Sequence, residues 1–165
     1  MRTLIPLAEQ AGALLKARGG KIAVAESAAG GLINAALLAV PGASGWCLGG
    51  AVLYTKQSRL ALKDMQPEMF KGMTGSTEAY ALFMARAVRE RYAADWCLCE
   101  TGAAGPTGSR YGYPAGHACF AISGPDSLER AMTLETGQAD RVANMLAFAH
   151  AGLTFLVETL ETSKG

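Results

Sequence analysis

The feature that most constrains this chain is an alternation of period. Helical spacing of apolar residues gives way to short strand-type runs and back again along its length. Leu4, Leu7, Ala8, Ala11, Leu14 and Leu15 recur at helical spacing, and Gly19-Gly20 ends that run. Lys21 to Ala25 is a short β-type run leading into Glu26-Ser27-Ala28-Ala29-Gly30-Gly31. A helix over Leu32 to Val40 stops at Pro41-Gly42. Trp46 to Tyr54 reads as a buried strand weakened by Gly49 and Gly50, which permit close approach of a ligand or neighbour. A short helical segment, Lys56 to Leu62, precedes a loop holding Pro67. Ser76-Thr77-Glu78 opens a long helix to about Ala93, with Ser76 or Thr77 as N-cap and Glu78 at the favourable end of the dipole.

Trp96 to Thr101 is the next strand, and Gly102 to Gly112 is a glycine-rich loop. Ala115 to Ile122 and Leu128 to Glu135 are strands joined around Gly124-Pro125, and a final helix runs from about Ala139 to Leu160. Because the last two strands follow each other without a helix, the expected fold is a three-layer α/β/α domain with a mixed five-stranded sheet. No repeat, linker or low-complexity tract divides the chain, so residues 1–165 are expected to form one domain.

Fifteen basic residues nearly balance fourteen acidic ones, and no basic run stands out, so no nucleic-acid partner is expected. The N-terminus lacks the pattern of a signal peptide, and the apolar stretch Leu32 to Val40 is too short to span a bilayer. A cytoplasmic location without a membrane partner follows, and with it reduced cysteines. Cys47, Cys97, Cys99 and Cys119 contain no C-x-x-C pair. Cys97 and Cys99 would share one strand face, as would His117 and Cys119, so a metal site across adjacent strands is geometrically open. Buried cysteine acting as a small hydrophobe is the commoner outcome, and no metal or cofactor is expected.

Two loops are able to carry chemistry. In the first, Ala25 to Gly31, Ser27 stands between a strand and a helix, where main-chain N–H groups stabilise an anion or a developing oxyanion. Its plainer reading is an N-cap serine with Gly30-Gly31 relieving packing. In the second, Thr101-Gly102-Ala103-Ala104-Gly105-Pro106-Thr107-Gly108, exposed amides could cradle a phosphate or ribose. A glycine-rich turn explains it equally well, and it is not a P-loop, since the Lys-Ser/Thr pair is absent.

Together these segments resemble the CinA C-terminal family, which includes nicotinamide mononucleotide deamidases. The family pattern reads approximately A-E-S-C-T-G-G, V-P-G-S-S, Y-S-N-x-x-K and T-G-I-A-G-P-x-G-G. The matching segments here are Ala25 to Gly31, Val40 to Ser44, Tyr54 to Arg59 and Thr101 to Ser109, in order and over nearly the whole chain. The resemblance implies a homo-oligomer and a pocket for a small nucleotide-like ligand. It also implies amide hydrolysis by a serine assisted by a lysine. Ser27 then matches the nucleophile, and Arg59 stands at the lysine position. Glu26, Gly30, Gly31, Tyr54, Thr101, Gly102, Gly105, Pro106 and Gly108 match the ligand-binding segments.

The departures fall on the chemistry. Family Cys-Thr is Ala28-Ala29, and a Lys-Pro-Val-Gly segment is matched by Tyr113-Pro114-Ala115-Gly116. An arginine in the second strand is replaced by Gly49, and arginines of the last helix are matched by Ala139, Ala143 and Asn144. A desolvated lysine can accept a serine proton near neutrality, whereas arginine keeps its proton. Lys56, one helical turn before Arg59, could substitute only by a shift in register. The expectation is a family member with lost or strongly reduced deamidase activity and a retained pocket. The alternatives are an active amidohydrolase with an unorthodox base, or a non-catalytic oligomeric interaction subunit.

Overall fold

In a computed structural model, residues 1–163 are described. Helix α1 (Ile5–Ala17) carries Pro6 in its first turn, where a missing N–H is tolerated, and buries Ala8, Ala11, Gly12 and Leu15. Gly12 is required there, since a Cβ would lie 2.7 Å from the Trp46 ring. Strand β1 (Ile22–Glu26) is buried throughout, and the short helix α2 (Leu32–Leu38) returns to the edge strand β2 (Cys47–Val52). Helix α3 (Lys56–Leu60) is capped reciprocally by Thr55 and Ser58. Pro67–Phe70 forms a 3₁₀ turn before helix α4 (Glu78–Arg91), whose N-cap is Thr77. Strands β3 (Trp96–Ala103), β4 (His117–Ser123) and β5 (Glu129–Glu135) follow, and helix α5 (Arg141–Thr162) is capped by Asp140.

The sheet has five strands in the order β2-β1-β3-β4-β5. β1 runs parallel to β2 and β3, while β4 is antiparallel to both β3 and β5. Strand alternation sends Ile22, Val24, Leu98, Phe120 and Ile122 to a core closed by α1, α2 and α5. Ala23, Ala25, Cys97, Cys99 and Ala121 face the other way, into a core closed by α4. Full burial of side chains such as Phe120, Phe148 and Leu153 stabilises the first core by roughly 1.5–3 kcal/mol each. The fold is the expected three-layer α/β/α arrangement with a mixed five-stranded sheet.

Element ends differ by a few residues. β3 runs two residues past Thr101 into the glycine-rich loop, because β4 pairs with it as far as Ala103–His117. β2 begins at Cys47, since Trp46 is buried against α1 and its N–H closes a turn on Ala43. Helix α5 is long and apolar enough by composition to cross a membrane, yet half of that stretch is buried within the domain.

Candidate functional site

The crossover from β1 to β2 runs through α2 on one face, and that from β2 to β3 runs through α4 on the other. The chain therefore changes direction between β1 and β3, the place where open α/β sheets form a crevice at the carboxyl ends of their strands. A cavity of about 520 Å³ lies there. Ser27 reaches it from the end of β1, Thr101 and Gly102 from β3, Tyr54 from the segment after β2, and Ser76 and Tyr80 from the start of α4. Lys56, Arg59 and Arg110 supply three cations, and among the described residues no carboxylate lines the cavity.

The turn after β1 is closed in on itself. Glu26, 1% exposed, directs its carboxylate at the N-terminus of α2. It accepts from the N–H groups of Gly31 (2.9 Å), Ile33 (3.0 Å) and Asn34 (2.7 Å), and from the Asn34 side chain. Glu100, also 1% exposed, accepts from the N–H groups of Ser27 and Ala29 through Oε2, both at 2.9 Å. Gly30 N–H donates to the Ser27 carbonyl and Leu32 N–H to that of Ala29. Burial pushes the Glu26 carboxyl up, and pushes that of Glu100 up to about 7 against the backbone donors that favour its charge. Glu100 Oε1 has no partner.

This arrangement corrects two expectations. The main-chain N–H groups of Ser27, Ala29, Gly30, Gly31 and Ile33 are taken by protein acceptors rather than left open to a ligand. Nor is Ser27 the N-cap of α2: that position is Gly31 at φ +96°, a left-handed conformation suited to glycine. Ser27 is half-buried at the cavity wall, and no base is hydrogen-bonded to its hydroxyl among the described residues. Lys56 lines the same cavity but is exposed to solvent, whereas lysine activation of serine relies on a desolvated amine.

Arg59 points into the site. Its Nη1 donates to Tyr80 Oη (2.9 Å), its Nε to the Thr55 carbonyl (3.3 Å), and its guanidinium lies 5.3 Å from the ring centres of both Phe70 and Tyr80. Burial pushes the Tyr80 phenol up to about 12, despite Arg59 beside it, so it donates or accepts as a neutral hydroxyl. The last helix does bring one arginine. Arg141 Nη1 donates to the Gly105 carbonyl (2.6 Å) and Nη2 to Tyr54 Oη (2.9 Å), fixing the tyrosine over the rim.

The glycine-rich loop borders the cavity at its two ends, through Gly102 and through Ser109 to Tyr111, while its middle lies beside it. Ser27, Tyr54, Arg59, Thr101 and Gly102 line the larger cavity, while Gly105 and Gly108 line an adjoining one of about 210 Å³ that shares Tyr54, Gly102 and Ser109. Glu26, Gly30, Gly31 and Pro106 line neither. A Cβ on Gly105 would lie 2.7 Å from the Ala139 carbonyl oxygen, and one on Gly108 would lie 2.4 Å from that of Tyr113. These glycines admit the protein's own backbone.

His117 and the cysteines stand apart from this chemistry. His117 bonds to Glu135 through Nδ1 and to the Ser76 carbonyl through Nε2 (2.8 Å), and stacks on Tyr113. All four cysteines are free and buried, and no cluster of metal-ligating side chains occurs among the described residues.

Glu100, Tyr80, Tyr111 and Arg141 belong to the site region and escaped the sequence reading. A signal existed for Glu100. It stands two residues after Leu98 on the core-facing side of an apolar strand, where a carboxylate needs nearby donors. Arg141 had one too, as a lone cation opening the last helix.

Residues 4–160 match the model of the CinA C-terminal domain. A CinA-like protein of Synechocystis sp. is 36% identical over 131 residues, covering 79% of this chain and 32% of that protein. One from Chloroherpeton thalassium is 33% identical over 98% of this chain and 39% of its own length. The chain thus spans about a third of the curated relatives it matches. Among solved structures, the competence/damage inducible protein CihA of Agrobacterium tumefaciens superposes with a TM-score of 0.86 at 26% identity, covering 96% of each chain. The competence damage-inducible protein A of Klebsiella pneumoniae superposes with a TM-score of 0.89 at 24% identity, covering 98% of this chain and 99% of that one, a likeness of fold.

Proposed function

The chain belongs to the CinA C-terminal domain family, competence/damage-inducible in type, and from that premise we propose that it binds a small nucleotide-like anion while its nicotinamide mononucleotide deamidase activity is lost or strongly reduced. The observation that carries this reading is the division of labour at the cavity. Lys56, Arg59 and Arg110 offer positive charge with no carboxylate opposing it, which suits a phosphate. The N–H groups of Ser27, Ala29 and Gly30, which an acyl-transfer reaction could use to hold its oxyanion, are hydrogen-bonded inside the protein. Arg59 cannot serve as a general base.

Arg59 still does work in this reading. A guanidinium held by Tyr80, Thr55 and two rings is a fixed charge, and fixed charges bind anions with little loss of side-chain entropy. Tyr54, oriented by Arg141, would lie against the ribose or base. A cytoplasmic setting, a homo-oligomeric assembly and independence from metals or cofactors belong to the same reading.

The test is thermal unfolding with nicotinamide mononucleotide, its acid product and inorganic phosphate as control. A nucleotide bound at one hundred times its Kd raises stability by about 2.7 kcal/mol without turnover. No shift with either nucleotide at millimolar concentration would turn the reading toward an oligomeric interaction subunit. The presence of Lys56 in the same cavity as Ser27 favours one second reading, an amidohydrolase with Lys56 as its base. Ammonia release abolished equally by Lys56→Met and Ser27→Ala would establish that reading instead.

A further inference from the structure

The cavity at Ser27 does not end at its cationic wall. A second cavity of about 670 Å³ opens on the other side of Lys56, Arg59 and Arg110, with Tyr80 and Tyr111 also common to both. Its far wall is Pro67, Phe70 and Met73, an apolar and aromatic surface on the 3₁₀ turn and the segment that follows. Lys71 adds a fourth cation, opposite the acidic Glu68.

The two chambers differ in character. The first is walled by hydroxyls and backbone, from Ser27, Ser76, Thr101 and Gly102. The second offers flat apolar contact. Between them stands fixed positive charge, since the Arg59 guanidinium is pinned over Phe70 and Tyr80. A mononucleotide has one planar end and one anionic end, and would leave the second chamber unfilled. A molecule with two planar heterocycles and a doubly charged bridge presents groups to all three zones.

We propose that the two cavities form one bipartite site for a dinucleotide, with its pyrophosphate at Lys56, Arg59 and Arg110 and its second heterocycle against Pro67, Phe70 and Met73. This rests on reading the first cavity as a nucleotide pocket. It adds that the preferred partner is pyrophosphate-bridged, and that the 3₁₀ segment decides the preference.

The experiment is titration calorimetry on the full chain with nicotinamide mononucleotide, adenosine monophosphate and oxidised nicotinamide adenine dinucleotide. Two variants are compared with the parent, Lys71→Glu and Met73→Glu. Both positions are exposed and line only the second cavity, so the fold should tolerate them, and melting temperature checks that. The dinucleotide is expected to bind about tenfold or more tightly than either mononucleotide, and each variant to remove most of that advantage while leaving nicotinamide mononucleotide within about twofold. Equal affinity for mono- and dinucleotide, or an advantage that survives both variants, overturns the bipartite site and leaves the mononucleotide pocket standing. Absence of binding by all three nucleotides overturns both.

Discussion

The turn after β1 and the rim formed by α3 and the loop after β3 border one cavity, and they treat charge in opposite ways. In the turn, two carboxylates are buried, and the backbone donors around Ser27 are turned inward to satisfy them. At the rim, the charges are cationic, and Arg59 is braced by Tyr80 and the Thr55 carbonyl while Arg110 lies over the Tyr111 ring. The first arrangement makes a rigid scaffold in which the N–H groups of Ser27, Ala29, Gly31, Ile33 and Asn34 are already committed to carboxylates. The second makes a surface able to attract and hold an anion. On the proposed reading, affinity and chemistry, which helix-end amides could have supplied together, are separated between these two regions.

The largest effect should come from breaking the scaffold. Glu26→Ala leaves three amides and the Asn34 side chain of a buried turn without their acceptor. A loss of about 3–5 kcal/mol in denaturant unfolding is expected. A loss below about 1 kcal/mol would mean that water reaches the turn, and that its amides are open to ligands after all.

Next in size is a pH effect carried by Glu100. Burial raises its folded carboxyl from the ordinary 4.5 to about 7, so the folded state holds a proton that the unfolded state releases. Stability should therefore fall as pH rises from about 4.5 to about 7 and level off above, by on the order of 3 kcal/mol. The raised Glu26 carboxyl acts in the same direction. Glu100→Gln, which keeps an acceptor for Ser27 and Ala29, should flatten this slope in pH-dependent unfolding curves. An unchanged slope would assign the effect elsewhere.

Much of this was legible in the sequence. The alternation of periods placed every strand, and the final pair of strands without a helix between them required the antiparallel half of the sheet. The site was legible only in part. Ser27, Tyr54, Arg59, Thr101 and Gly102 do share a cavity, because their segments all leave the carboxyl ends of β1, β2 and β3. What sequence spacing missed were partnerships across the fold. Glu26 and Glu100 are far apart in the chain yet divide the amides of one turn, and Arg141 reaches Tyr54 across 87 positions. The glycines of the second loop misled for a related reason. Exposed amides are expected there from residue type, but the atoms that approach these glycines belong to Ala139 and Tyr113.

Gly105→Val sharpens that last point with a moderate effect. The residue sits at φ +103°, and a Cβ would press on the Ala139 carbonyl, so a loss of about 2–3 kcal/mol in stability is expected whether or not a nucleotide is present. A variant of parental stability that no longer responds to nucleotide would place the ligand, not the backbone, over this glycine. Smaller still, Arg59→Met should weaken nicotinamide mononucleotide by about tenfold, close to 1.4 kcal/mol, measured by calorimetry. Unchanged affinity would move the anion from the rim back to the turn.

The separation of binding from chemistry is tested most directly by ammonia release from nicotinamide mononucleotide at saturation, beside a family member that keeps the serine–lysine pair. The purified chain is expected to release ammonia about 10²–10⁴ times more slowly, the share that general-base assistance typically contributes. Release at a rate matching that relative, abolished by Ser27→Ala, would contradict the account.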